Sequence, residues 1–134
     1  MSPHSVQGQG RQILVVDDDL AIRVLLQAVL RRLGFEVVLA EDGEVGLEIV
    51  SKEKFELVLL DLMMPKVSGY EFIDAINRGN GAKPHIIVFT AAGQRGVARI
   101  PPDSVCDAIL KPFDLEKFLS LIDRCLAGHE EAQP

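Results

Sequence analysis

The stretch FELVLLDLMMPKVSGYEF, residues 55–72, decides the reading of this chain, and Asp61 stands at its centre. Leu57 to Leu60 form an apolar run that ends on one carboxylate, and a turn carrying Pro65 and Gly69 follows. Such a run reads as a strand buried on both faces, as in a parallel sheet. A charge at its end lies at the carboxyl edge, where open α/β sheets place their ligands. Ser68 and Glu71 have the spacing of a capping box, so a helix is expected from about Gly69 to Asn77.

The same alternation extends in both directions. Upstream, QILVV (12–16) is a strand ending in Asp17, Asp18 and Asp19. A helix follows, capped by Asp19, with Leu20, Val24, Leu25, Ala28, Val29 and Leu33 at helical spacing and Gly34 at its end. FEVVL (35–39) is a second strand, and Asp42 caps a helix with the stripe Val45, Leu47, Ile49 and Val50, ending near Lys54. Downstream, RGNGAKP (78–84) is a loop and HIIVF (85–89) a fourth strand ending at Thr90. Residues 93–103 have room for about two helical turns before Pro101 and Pro102 stop them. Cys106 to Leu110 fits a fifth strand, followed by Lys111-Pro112. Asp114 caps a last helix whose Leu115, Phe118, Leu119, Ile122 and Leu126 face the core.

Five strands alternating with helices predict an α/β fold: a doubly wound, flavodoxin-like parallel sheet of order 2-1-3-4-5, helices on both faces, the fourth helix short or irregular. Residues 1–10 read as a disordered tail and 128–134 as a polar tail around one domain, 11–127.

Composition narrows the function. A net charge of −6 argues against a basic nucleic-acid or membrane-binding face, and the absence of tryptophan argues against an aromatic stacking platform. No run approaches the length of a bilayer span, and MSPHSVQGQG is not a secretory signal. A cytoplasmic protein without direct nucleic-acid binding or membrane insertion is expected. Cys106 and Cys125 lack metal-type spacing and are read as reduced, buried thiols. His4, His85 and His129 are scattered and take no role, and Met63 and Met64 are turn and packing residues.

Strand ends of a parallel sheet share one edge, so Asp17, Asp18, Asp61, Thr90 and Lys111 converge. Carboxylates about 4 Å apart repel by roughly 4 kcal/mol per pair at an effective dielectric near 20, so the cluster calls for a cation. Oxygen ligands suit Mg²⁺. Lys111 and the metal can screen an arriving phosphoryl group while Asp61 attacks phosphorus.

ILVVDDD, LVLLDLMMPKVSG, VFTA and LKPF resemble, in order, the signature segments of the receiver domain of two-component response regulators. The resemblance covers residues 11–127. It implies that Asp61 is the phosphoacceptor, fed by a sensor histidine kinase or a histidine phosphotransfer protein and read by a downstream protein target. It implies Mg²⁺, replaceable by Mn²⁺, held by Asp18 directly, by Asp17 largely through water, by Asp61 and by the Met63 backbone carbonyl. Thr90 would bond the phosphoryl group, Ala91 leave room for it, and Lys111 pair with it. Lys111–Pro112 would be cis, and the domain would be no enzyme beyond self-phosphorylation from small donors and autodephosphorylation.

Two other readings compete. Asp17 and Asp19 have the D-x-D spacing of an aspartate-nucleophile phosphatase, but Ala21 stands where such enzymes usually carry Thr or Val. A non-phosphorylated receiver-like interaction module is disfavoured because every acidic, Thr and Lys position is filled. The chain departs from the family where many receivers carry an aromatic residue three before the Lys: Ala108, or Ile109 with one deletion, stands there. Asp103-Ser104-Val105 replaces the usual small-Gly pair. The signal is therefore expected to leave by an atypical route.

Overall fold

The computed structural model describes residues 7–80 and 83–131. Its elements, in order, are β1 (Gln12–Val16), α1 (Leu20–Arg32), β2 (Glu36–Ala40), α2 (Gly43–Lys52), β3 (Leu57–Leu60), α3 (Gly69–Arg78), β4 (His85–Thr90), α4 (Gly93–Ala98), β5 (Asp107–Leu110) and α5 (Leu115–Glu131). The strands form one parallel sheet of order β2-β1-β3-β4-β5, the doubly wound order that the sequence predicts.

The two-residue period of a strand sends successive side chains to opposite faces. Ile13, Val15, Leu57 and Leu59 pack with Leu26 and Leu30 of α1 and with Phe118 and Ile122 of α5. Leu14, Val16, Val58 and Leu60 pack on the other face with Phe72 and Ile73 of α3. Every residue of β3 is fully buried, which explains why its sequence shows no alternation. The first polar side chain that this strand can present is Asp61, where it leaves the sheet.

Local chemistry sets the helix starts. Asp19 Oδ1 accepts from the Ala21 N–H, Asp42 Oδ1 from that of Val45, and Asp114 Oδ1 from that of Glu116. Ser68 and Glu71 form the reciprocal capping box of α3. Gly34 ends α1 with φ of +92°, a conformation available to glycine at little cost.

Several expectations change. In α1 the core side is Leu26 and Leu30, with Ile22, Val29 and Leu33 packed beside them, while Leu20, Val24 and Leu25 are exposed. The helix is apolar on more than one side, so of the residues at the expected spacing only Val29 and Leu33 lie against the core. Part of the expected N-terminal tail is ordered: the Gly8 and Gly10 N–H groups donate to the carbonyls of Leu33 and Gly34, and Gly8 is buried against that turn. Residues 1–6, with His4, lie outside the described residues. The last helix runs on to Glu131, into the segment read as a polar tail.

The largest correction concerns the cysteines. Cys106 and Cys125 are not reduced thiols but a disulfide joining the approach to β5 with α5. Cys125 is buried and Cys106 exposed, so buried packing describes only one of them. The sequence reading relied on count and spacing, and neither reports that two elements distant in sequence are neighbours.

Helix α4 is the six-residue stub that the prolines allow. Tyr70 of α3 holds it: its hydroxyl donates to the Gly96 carbonyl at 2.7 Å, and the Arg99 guanidinium lies 4.7 Å from its ring centroid. Lys111–Pro112 is cis, as the resemblance implies. Among the described residues no helix is long and apolar enough to cross a membrane.

Candidate phosphoacceptor and metal site

The sheet itself delivers the site. Ladder bonding continues just past the strand ends: the Asp61 N–H donates to the Val16 carbonyl at 3.0 Å, and that of Lys111 to the Thr90 carbonyl at 2.8 Å. The Asp17 N–H donates to the Ala40 carbonyl at 3.2 Å. The backbones carrying two carboxylates and the ammonium group are thus fixed by sheet geometry, not by loop conformation.

Asp17 is fully buried. Its Oδ1 accepts from the Asp19 N–H at 2.9 Å and its Oδ2 from Lys111 Nζ at 2.8 Å. Asp61, 4% exposed, accepts from the Met63 N–H at Oδ1 (3.1 Å) and from Lys111 Nζ at Oδ2 (3.2 Å). Lys111 therefore bridges the two carboxylates, and the Phe89 ring centroid lies 5.0 Å from its Nζ. Asp18 is exposed, and oxygens of Asp17, Asp18 and Asp61 all come within 4.8 Å of one another. Thr90, fully buried, ends the strand beside β3, and its Oγ1 accepts from the Ala92 N–H at 3.0 Å. All five side chains that the sequence places at this edge are there.

Burial and pairing compete differently at the two ends of the ion pair. At Asp17 burial wins, pushing the carboxyl above its ordinary range against the pull of Lys111 and the Asp19 N–H, and the Asp61 charge adds to the rise. At Lys111 burial pulls the ammonium down, but Asp17 and Asp61 outweigh it and hold it above the usual lysine range. The site therefore carries a firmly protonated lysine between two acidic groups.

The donor set fits a small, hard cation. The three side chains gathered here offer carboxylate oxygens, and one of them faces solvent. Two contacts escaped the sequence reading. Lys111 grips Asp17 as well as Asp61, which parallel order alone does not reveal. Arg23, one turn into α1 beyond the cap Asp19, donates from Nη1 to the Asp17 carbonyl at 2.7 Å and ties the helix to the strand end. Ala108 and Ile109 pair with Val88 and Phe89 in the sheet, so no ring stands at either position.

Comparison with known proteins agrees with this geometry. The Response regulator receiver domain profile matches residues 13–123. The probable chemotaxis protein CheY of Rhizobium etli is 36% identical over 115 residues, covering 84% of this chain and 89% of that protein. The transcriptional regulatory protein ZraR of Klebsiella oxytoca is 33% identical over 91% of this chain, which spans only 28% of that relative's length. Among solved structures, the response regulator protein TrrA of Thermotoga maritima, in complex with Mg²⁺-BeF, aligns with a TM-score of 0.78 at 30% identity. That alignment covers 87% of this chain and 99% of the other. With the sheet order, the acidic edge and the profile in agreement, the chain belongs to the receiver domains of two-component response regulators.

Proposed function

We propose that Asp61 accepts a phosphoryl group from a histidine kinase or a histidine phosphotransfer protein, and that the phosphorylated domain alters its binding to a downstream protein. The observation that carries this reading is the Asp61 carboxylate at the end of a fully buried strand, tied through Lys111 to Asp17. One Asp61 oxygen attacks phosphorus, the bond to the donor breaks, and the donor leaves with its electron pair. Lys111 neutralises part of the charge gathering on the phosphoryl oxygens, Thr90 donates a hydrogen bond to one of them, and Ala91 leaves space.

Asp17, Asp18, Asp61 and the Met63 carbonyl would hold Mg²⁺, with Mn²⁺ as a substitute. Bound there, the metal would neutralise carboxylate and phosphoryl charge and orient the donor. Asp18 suits direct ligation because it is exposed, whereas both Asp17 oxygens already accept hydrogen bonds. Binding of Mg²⁺-BeF by the Thermotoga relative supports the same assignment. The reading carries a cytoplasmic location with it and no turnover of an external substrate.

The test is incubation with acetyl phosphate and Mg²⁺, followed by mass mapping. One phosphoryl group on Asp61, lost in Asp61→Asn and on chelation of the metal, is the expected result. A protein that stays unmodified returns the domain to the class of unphosphorylated interaction modules.

A further inference from the structure

The Cys106–Cys125 disulfide lies apart from the carboxylate edge, at the end of β5 opposite Lys111. It connects the residue just before β5 to the C-terminal half of α5, across a sequence separation of 19. Its two ends differ in surroundings. Cys125 is 5% exposed and packs in the core cluster with Phe118 and Ile122, whereas Cys106 is exposed, at the end of a loop whose Pro101, Pro102 and Asp103 are exposed and whose Ser104 and Val105 are half-buried. That loop is held at few points: Ser104 bonds back to Pro101, half-buried Val105 packs against the core on the α3 side, and the Cys106 N–H donates to the Ile86 carbonyl at 2.7 Å. Beside the bridge, Arg124 pairs with Asp107 at 3.0 Å through two solvent-exposed side chains. Such an ion pair contributes little, so the disulfide is the strong tie at this corner.

We propose that this disulfide is a thiol-exchange site, attacked at Cys106, and that opening it frees the start of β5 from α5 while leaving the carboxylate site intact. The reactant is a small thiol or an exposed protein dithiol. Its thiolate attacks Cys106 Sγ, the sulfur of the exposed cysteine. The S–S bond breaks, and its electron pair leaves on Cys125 Sγ, which takes up a proton. A second thiolate then attacks the mixed disulfide on Cys106, releasing the oxidised reductant and a Cys106 thiol that is likewise protonated. In sum, two electrons and two protons pass to the protein.

The consequences stay local because the anchors at both ends differ. At the far end of β5, Lys111 keeps its bonds to the Thr90 carbonyl, Asp17 and Asp61. On α5, Phe118 and Ile122 are fully buried and hold the helix to the sheet. What loosens is the corner between them. β5 is the last strand of the sheet, and among the described residues its outer backbone edge has no strand partner. Freeing its first residues changes what that edge presents to a partner.

The test has two readouts on the folded, oxidised protein. Treatment with glutathione, quenching with iodoacetamide and peptide mapping should find glutathione on Cys106 and the alkyl group on Cys125. Reduction with dithiothreitol should speed amide exchange about ten-fold around residues 104–108 and 123–127, with β1 and β3 unchanged. Cys106→Ser should show the same exchange pattern without reductant, and labelling of Asp61 by acetyl phosphate should be the same in all three forms. Glutathione on Cys125, a bridge that opens only in denaturant, or an unchanged exchange pattern after reduction would each overturn the proposal. Should Cys106→Ser fail to fold, the reduced wild type carries the comparison alone.

Discussion

Lys111 Nζ lies 2.8 Å from Asp17 Oδ2, so the last strand of the sheet reaches across two intervening strands to a fully buried carboxylate of the first. The same ammonium group touches Asp61, which makes it a built-in competitor for any metal at this edge. Replacing it should therefore separate metal binding from phosphoryl transfer.

Lys111→Met removes one positive charge from among the carboxylates. Mg²⁺ affinity, followed by calorimetry, should rise by about ten-fold, the equivalent of roughly 1.4 kcal/mol. Labelling of Asp61 by acetyl phosphate should fall by about a hundred-fold, the usual loss when a charge-stabilising group is removed. Parallel loss of both would assign Lys111 to folding alone.

Gly69 closes the turn after the phosphoacceptor. A methyl group there would meet the Leu62 Cα at 2.5 Å and the Asp61 carbonyl at 2.6 Å, both backbone atoms. Gly69→Ala must therefore displace the segment that aims Asp61. We expect about 2 kcal/mol of destabilisation by urea denaturation, and slower labelling at saturating acetyl phosphate. Wild-type kinetics would show that the turn adjusts without moving the carboxylate.

Asp42 provides a pH-dependent element of the fold away from the acidic edge. The Val45 N–H, foremost among its partners, holds its carboxyl below the ordinary value of 3.8, with Lys66 assisting. An acid bound more weakly by protons when folded stabilises above its unfolded pKa, and that contribution fades as pH drops through the folded value. Asp42→Ala should cost about 1 kcal/mol near neutrality. The difference between the two proteins should shrink below pH 3.8, which thermal melts across the acid range will show.

Reducing the disulfide should also register globally. For a bridge spanning 19 residues, loop-closure reasoning gives about 3 kcal/mol of stability. Denaturant titrations with and without dithiothreitol measure it, and coincident curves would mean that the reduced chain retains the same constraint.

How much of this was legible in the residues depends on the kind of information each feature needs. The strand order and the acidic edge were readable because apolar runs, caps and a parallel topology are local patterns with one compact solution. Asp17, Asp18, Asp61, Thr90 and Lys111 each follow directly from a strand end. The buried stripe of α1 was not readable, since Leu20, Val24 and Leu25 are as apolar as the residues that face the core. Nor was the disulfide, which depends on α5 folding back beside β5 and places one cysteine in the core and the other in solvent. Patterns report faces, whereas contacts between distant segments require the packed molecule.

The ring absent from Ala108 and Ile109 has a counterpart elsewhere, because Tyr70 spans the gap between α3 and α4. Its hydroxyl and its π-face engage the C-terminal half of the stub, Gly96 through a carbonyl and the capping residue Arg99 through a cation. A six-residue helix stores almost no rigidity of its own. Any displacement of α4 must therefore either drag α3 along or break both contacts in one event. The phosphoacceptor turn leads directly into α3 at Gly69, so one continuous path of contacts joins Asp61 to α4 through α3 and Tyr70.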